Sequence, residues 1–414
     1  MTARGRTCRA CGAPVDHEVV DLGNQPLADL LLDEADLDVP EARYPLVVDV
    51  CEQCWLVQLR DFEGSERILS EHVHASSSFS STLSAHVRAW SDEAVQRLGL
   101  GPGSTVAEVA SGDGYLLRNF VERGIAVRGI EHVSDVADEA NAIGVPTERA
   151  LFDMTTARRL AGEGLLADLV IGNHNLANAP DLGMALEAMT TILAPGGTIS
   201  VEFHHVLHLV QETQFDTICH PHCSYLSLAA LVPALEGAGL VAVDAAEVDV
   251  HGGSVRVWAT RSDRATDDDR SGVTGVLARE RAAGLDSPEA YAGFSERVEA
   301  ARSGLRAFLE RVRGDGRSVV AYGAPVKGNT LLNSSGITRE LLPYTVDISP
   351  RKQGRFLPGS HLPIHPPARI EEDRPDYVLV LPWTLVDEIT SQMASVSAWG
   401  GRFVVPVPEI RVLP

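Results

Sequence analysis

Long apolar runs and positive charge are both scarce in this sequence. No stretch approaches the ~18 consecutive apolar residues of a membrane helix, so a membrane-spanning role is not expected. The first residues, Met-Thr-Ala-Arg-Gly-Arg, lack the apolar core of a signal peptide, and the expected location is the cytoplasm. Lys and Arg total 35 against 57 Asp and Glu, a formal charge of −22. That balance argues against a polyanion-binding protein, which needs a basic surface, so no nucleic-acid partner is expected. Cysteine is sparse as well, with six in 414 residues. In a reducing compartment these are metal ligands, catalytic groups or core residues rather than disulfides. What remains is an ordinary globular composition, 44% hydrophobic and 22% charged, long enough for two or three domains.

Four of the six cysteines form two CxxC pairs, Cys8 with Cys11 and Cys51 with Cys54. Each pair presents two thiolates from one tight turn, and two pairs complete a tetrahedral zinc shell. A shell closed by four sulfurs leaves no open position, so the expected zinc is structural. It staples a segment, residues 1–70, too small to build a stable core of its own.

A helical stretch near 80–98 precedes a β-rich run that ends in a turn: Glu108-Val-Ala-Ser111-Gly112-Asp113-Gly114. An apolar-periodic helix follows, which gives the first β-loop-α of a doubly wound sheet. A second strand ends at Glu131, where a carboxylate can accept from a ribose diol. An acid inside the first strand and Asp113 in the turn disfavour a pyrophosphate and suit an ammonium. The expected ligand is therefore S-adenosylmethionine, held by Glu108, Ser111, Gly112, Asp113, Gly114 and Glu131. Asn173, at the end of a later strand, is included in this set. Beyond the strand ending at Glu202 the chain is rich in imidazole, and five of its fourteen histidines lie between 204 and 222. A histidine titrates near neutrality and can remove a proton next to a carbonyl.

Taken together, these motifs resemble the sugar C-methyltransferases. The likeness is carried by the two CxxC pairs, Leu22-Gly-Asn-Gln-Pro-Leu-Ala28, Glu108–Gly114, and Phe215-Asp-Thr-Ile with His222 and Ser224-Tyr-Leu-Ser227. It continues through His251-Gly-Gly-Ser254, Tyr322-Gly-Ala with Lys327-Gly-Asn-Thr-Leu-Leu-Asn333, and Lys352-Gln-Gly-Arg-Phe-Leu-Pro-Gly359. The resemblance implies three units: a zinc-binding lobe (1–70), a Rossmann-like S-adenosylmethionine methyltransferase domain (71–262), and a Rossmann-like α/β lobe (263–414) that helps to hold a nucleotide-sugar. It also implies transfer of a methyl group to a nucleoside-diphosphate keto-deoxysugar in secondary metabolism. A base takes the proton α to the ketone, and the enolate attacks the methyl in line. The substrate is then the small-molecule partner of a monomer or small homo-oligomer.

The family's Tyr-His-Glu-His-Phe-Ser-Tyr is here Cys219-His220-Pro221-His222-Cys223-Ser224-Tyr225. Its tyrosine-rich stretch is His72-Val-His74-Ala-Ser-Ser, and a Leu-Ala-His is Leu176-Ala-Asn178. His222 is the expected base with His220 beside it. Asn178, or a histidine of the 72–74 pair, would polarise the ketone. Tyr225, His72 and His74 would touch the substrate. The spacing of Cys219, His220, His222 and Cys223 is poor for a single ion, since adjacent side chains diverge. The altered pocket leaves two other readings open: a relative retooled for another reaction or a non-sugar substrate, and a non-catalytic cofactor-binding partner protein.

In the C-terminal part a polar stretch around 262–271 reads as a linker and 273–314 as a long helix. Arg317–Lys327 is again strand, tight turn and helix. Tyr322 and Lys327 are placed there to meet the phosphates.

Overall fold

The computed structural model describes residues 6–61, 79–264 and 270–414. His72 and His74 lie outside the described residues. The chain is mixed α/β, with three sheets in sequence.

The first sheet is antiparallel, in the order β1 (His17–Gln25), β2 (Tyr44–Val50), β3 (Val57–Leu59), with β9 (Ser224–Tyr225) at its edge. β9 comes from the middle of the chain, pairing Tyr225 with Val57 and Ser224 with Gln58. The residues that follow His222 are thus stitched into the zinc-bearing lobe.

The second sheet has seven strands, ordered β10-β11-β8-β7-β4-β5-β6. The ranges are β4 Thr105–Val109, β5 Ala126–Glu131, β6 Thr147–Arg149, β7 Ala167–Asn173, β8 Leu193–His204, β10 Leu240–Val248 and β11 Ser254–Arg261. β6, β5, β4, β7 and β8 run parallel. β11 and β10 close the edge antiparallel. Helices cover both faces, so the central strands are apolar almost throughout; Val106, Ala107, Leu169, Val170 and Ile171 are all buried. One covering helix, Ser81–Leu98, starts at an N-cap where Ser80 Oγ accepts from Leu83 N at 3.2 Å, and it stops at Gly99 in the left-handed region. Its buried stripe of Leu83, Val87, Trp90 and Ala94 follows the helical repeat, and Trp90 stacks on Trp258 of β11. The chain leaves β4 towards β5 on one side and returns to β7 on the other. The C-terminal ends of β4 and β7 therefore open a crevice at a topological switch point, where such sheets bind ligands.

The third sheet is ordered β14-β13-β12-β15-β16-β17, parallel except for β17. Its strands are β12 Val319–Tyr322, β13 Thr345–Val346, β14 Ile364–His365, β15 Tyr377–Val380, β16 Arg402–Val405 and β17 Arg411–Val412. It has its own switch point, at β12.

The helical stretch expected over 273–314 is two helices, Ser271–Ala282 and Phe294–Gly314. Between them Gly284 and Gly293 adopt φ of +75° and +70°, and Pro288 starts a short 3-10 turn, which together break the α-helical path. The first of the two packs on the central sheet, with Val273 and Val276 in one core with Leu231, Leu240 and Ala242. The second belongs to a core shared by the first and third sheets, where Val48 and Leu59 meet Leu305, Leu309, Leu379 and Val404. That shared core also takes in Val206, Leu209 and Phe215 from the segment that follows β8.

Candidate active site and zinc knot

Two turns carry the cysteines together. Cys8 Sγ lies 3.5 Å from Cys54 Sγ, and Cys11 Sγ lies 3.6 Å from Cys51 Sγ. All four sulfurs fall within 4.8 Å of one another. A zinc tetrahedron with ~2.3 Å bonds has edges of ~3.8 Å, so this donor set fits zinc and leaves no place for a substrate.

At the crevice of the central sheet, Glu108 is the penultimate residue of β4 with 4% of its surface exposed, and its Oε2 has no hydrogen-bond partner. Burial, then the charges of Asp113 and Glu131, push its carboxyl well above the usual range. A buried acid with an orphan oxygen among two other acids is a seat for a cation. Gly112 and Gly114 adopt φ of +57° and +80° in the turn that brings backbone close to a ligand. Glu131, fully buried, accepts from Gly112 N at 3.1 Å and Val133 N at 2.9 Å, which fixes its carboxylate at the end of β5. His132 Nδ1 stands 3.2 Å from Glu131 Oε1, so the carboxylate is held from both sides at the rim of the crevice. Ser111 Oγ and Asn173 Oδ1 are buried without partners at the same edge. These residues fit S-adenosylmethionine: an acid for its ammonium, an acid for its ribose, and orphan polar atoms between.

Beside this crevice the strand ends present imidazoles. Glu202, near the end of β8 and 2% exposed, is met by His174 Nε2 at 3.1 Å, His86 Nε2 at 3.1 Å and Arg256 Nη2 at 2.6 Å. Burial alone would raise its pKa. The two histidines and the guanidinium outweigh burial and hold the carboxyl well below the usual range. This anchor fixes His174, whose ring packs edge-on against His251 at 4.4 Å. Both histidines adopt left-handed backbone, φ +56° each, an uncommon conformation for a residue with a side chain and one that clusters at functional sites. His204 Nε2 lies 2.6 Å from Gln214 Oε1, and Gln214 donates onward to Gly252 O and Glu212. With both amide hydrogens committed, the Gln214 oxygen accepts, so the His204 proton sits on Nε2 and its Nδ1 is an acceptor. Desolvation, then the field of Lys327, lowers the His204 pKa to about 3.

The third sheet closes the pocket. Lys327, in the first turn of the helix Val326–Ser334, holds Nζ 5.3 Å over the ring of Trp383. Trp383 Nε1 donates to Asp216 Oδ2 at 2.7 Å, while the buried Oδ1 has no partner. Burial raises the Asp216 pKa and lowers that of Lys327, with Asp216 and Cys219 opposing the fall at the lysine.

The expected residues separate into those this pocket gathers and those it does not. The charges of Lys327 and His222 both lower the His204 pKa, and Lys327 stands over Trp383, which crowds Gly252 beside Gln214. His222 Nδ1 lies 3.1 Å from Thr217 O, which fixes the proton on Nδ1 and makes Nε2 the acceptor. His220 points the other way: it is 1% exposed, with Nε2 3.3 Å from Tyr44 O in the first sheet. Asn178 has a buried Oδ1 without a partner. Tyr225 spends its hydroxyl on the backbone of Cys219, taking Cys219 N at 3.2 Å, and so closes the loop rather than offering a free group. Tyr322 faces the opposite side of β12, bonded to Gln392 at 3.2 Å and packed with Val320, Val346 and Val380. Glu202, His174, His251, Gln214, Asp216 and Trp383 were not among the expected site residues, and His204 entered only as one of the five imidazoles between 204 and 222. The His251-Gly-Gly signature and the histidine-rich stretch after β8 were the available signals. Among the described residues, the ligand-type side chains gather in two clusters, and neither contains Cys219, His220, His222 or Cys223. Burial raises both thiols of that segment, Cys223 to about 11.

Fold and site together define an S-adenosylmethionine-dependent methyltransferase with a zinc-binding lobe. Family profiles match along the chain: “Putative zinc binding domain” over 8–68, “Methyltransferase domain” over 84–245 and “C-methyltransferase C-terminal domain” over 249–408. The C-methyltransferase NovU of Streptomyces niveus is 37% identical over 406 residues, covering 98% of this chain and 96% of the relative. The ubiquinone/menaquinone biosynthesis C-methyltransferase UbiE of Hydrogenovibrio crunogenus is 27% identical over 137 residues, 31% of this chain and 54% of that protein. A solved S-adenosylmethionine-dependent methyltransferase from Clostridium acetobutylicum covers 42% of this chain and 90% of its own, at 11% identity and a TM-score of 0.34. The chain belongs to the sugar C-methyltransferase family. Among the described residues, no helix is long and apolar enough to cross a membrane.

Proposed function

We propose that this C-methyltransferase acts on the carbon α to the ketone of a nucleotide-bound keto-deoxysugar. The observation that carries the reading is the chain of contacts from Lys327 over the Trp383 ring, through Trp383 and Gln214 crowding Gly252, to His204 bonded to Gln214 at the end of β8. A C–H acid next to a carbonyl needs a base, a stabiliser for the enolate oxygen, and exclusion of water. Bound S-adenosylmethionine supplies an electrophilic methyl group. The chain's own residues do the rest. His222 takes the α proton on Nε2, and its Nδ1–H, held by Thr217 O, keeps that tautomer available. The electron pair of the broken C–H bond moves into the carbonyl, and the negative oxygen is met by a cation. Lys327 is that cation. Its field reaches His204 and His251 and its neighbours are Asp216 and Cys219, which favours contact with the reacting end of the sugar over the expected contact with the diphosphate. Asn178 supplies a second polar contact from the loop after β7.

Kinetics with a nucleoside-diphosphate keto-deoxysugar test the reading. His222→Ala is expected to lose about 10²–10⁴-fold in kcat while cofactor binding persists. Lys327→Ala is expected to lower kcat more than it raises KM. Full turnover in His222→Ala rejects the base. A KM effect alone for Lys327→Ala, weakened by salt, returns that lysine to the phosphates.

A further inference from the structure

Behind the pocket, on the side of β8 away from His204, lies a cluster that the reaction does not use. His205 is fully buried, and its Nε2 sits 2.8 Å from Glu280 Oε1. Glu280, 1% exposed, also accepts from Leu228 N at 2.6 Å and Ala229 N at 2.8 Å. A carboxylate that accepts three times fixes the imidazole proton on Nε2. His205 Nδ1 is therefore an acceptor. It is buried, has no hydrogen-bond partner, and faces Glu247 Oε1 at 3.8 Å. A buried lone pair turned towards a carboxylate at the edge of the core is unfavourable unless something positive lies between them.

His208, one helical turn on, completes the group. Its Nδ1 lies 2.9 Å from Glu212 Oε1, which leaves Nε2 as its acceptor. One ligand atom from each of His205, His208 and Glu247 lies within 4.8 Å of the other two. Gly253, at φ +105°, makes room for the His208 ring, since a Cβ there would stand 2.4 Å from its Cδ2. Glu247 is itself held by Arg279 Nε at 3.0 Å through Oε1, with Oε2 to spare. All three side chains are thus oriented by outer partners, two of them carboxylates behind imidazoles, the arrangement that supports metal-bound histidines.

We propose that His205 Nδ1, His208 Nε2 and a Glu247 oxygen bind a divalent transition-metal ion of the zinc class, separate from the four-cysteine knot, with water completing the shell. Two imidazoles and one carboxylate suit zinc and its neighbours better than calcium or magnesium. The ion does not touch the substrate. It positions: His208 bonds Glu212, Glu212 bonds Gln214, and Gln214 bonds His204 in the pocket. The ion thereby pins the start of the helix Val206–Gln211 and the register of that chain.

The test is metal stoichiometry and calorimetry on the full chain. Wild type, stripped with a mild chelator that leaves the cysteine site loaded, is titrated with Zn²⁺ alone. A second equivalent is expected. It should be lost in Glu247→Gln and in His208→Gln, both at partly exposed positions where the fold tolerates change, and kept in Glu212→Gln at reduced affinity. Circular dichroism checks that each variant is folded. Saturation at one equivalent in wild type overturns the proposal. A second equivalent that survives in both ligand variants overturns it as well, because the ion then lies elsewhere.

Discussion

Glu108→Gln separates a cofactor acid from an ordinary buried glutamate. In the ligand-free protein, burial and the charges of Asp113 and Glu131 raise the Glu108 pKa. Between the unfolded value of ~4.3 and this raised value, the native state holds a proton that the unfolded chain has lost. Ligand-free stability should therefore fall as pH rises through that window. A bound cation favours the carboxylate, so binding expels the proton and affinity should climb with pH over the same window. The glutamine keeps the shape and removes the acid. It should abolish the proton release and flatten the stability profile. It should also weaken S-adenosylmethionine by the value of one charge-assisted hydrogen bond, ~1.5–3 kcal/mol, or roughly 10- to 150-fold in Kd. Calorimetry in two buffers of different ionisation enthalpy reads the proton directly. Equal heats in both buffers for wild type, or unchanged affinity in Glu108→Gln, would refute the reasoning.

Other outcomes follow from the same geometry. Cys8→Ser should release the zinc and lower the melting temperature, because the knot anchors a small four-stranded sheet; elemental analysis and calorimetry check both, and a stable zinc-free wild type contradicts the claim. Glu202→Gln leaves the buried Arg256 with only the half-exposed Glu93, 3.4 Å from Nη1, as counter-charge and should cost up to about 3–5 kcal/mol, measured by denaturant unfolding. Because the folded Glu202 pKa is depressed, that contribution is present above the unfolded pKa of ~4.3 and is lost only in strong acid. Cys219→Ser and Cys223→Ser should alter turnover far less than His222→Ala, since both thiols are protonated at neutral pH and accept no proton there.

Local signals carried most of the architecture. The CxxC spacing foretold the sulfur cluster because two turns suffice to present four thiolates. The run Glu108–Gly114 foretold the crevice because glycines and an acid at a strand end have few other uses. Longer-range facts were not legible. Nothing local in Ser224–Tyr225 says that it pairs with β3. The Cys219–Cys223 stretch read as one set of side chains, yet His220 turns to Tyr44 while His222 turns to the pocket, a divergence set by that pairing. Tyr322 looked like a ligand from its place before a turn, but strand alternation sends it to the far face of the third sheet. The left-handed backbone at His174 and His251 is imposed by tertiary contacts and leaves no trace in residue type. The division of the 273–314 stretch into two helices is written locally, in Gly284, Pro288 and Gly293.

The central claim is carbon methylation of a nucleotide-bound keto-deoxysugar. Its most direct test is incubation of the purified chain with methyl-labelled S-adenosylmethionine and a nucleoside-diphosphate keto-deoxysugar, followed by NMR of the product. The account predicts a labelled methyl coupled directly to the ring carbon α to the ketone, formed with loss of that carbon's proton. A label on oxygen or nitrogen, or methylation of other acceptors with none of the nucleotide-sugar, would contradict it.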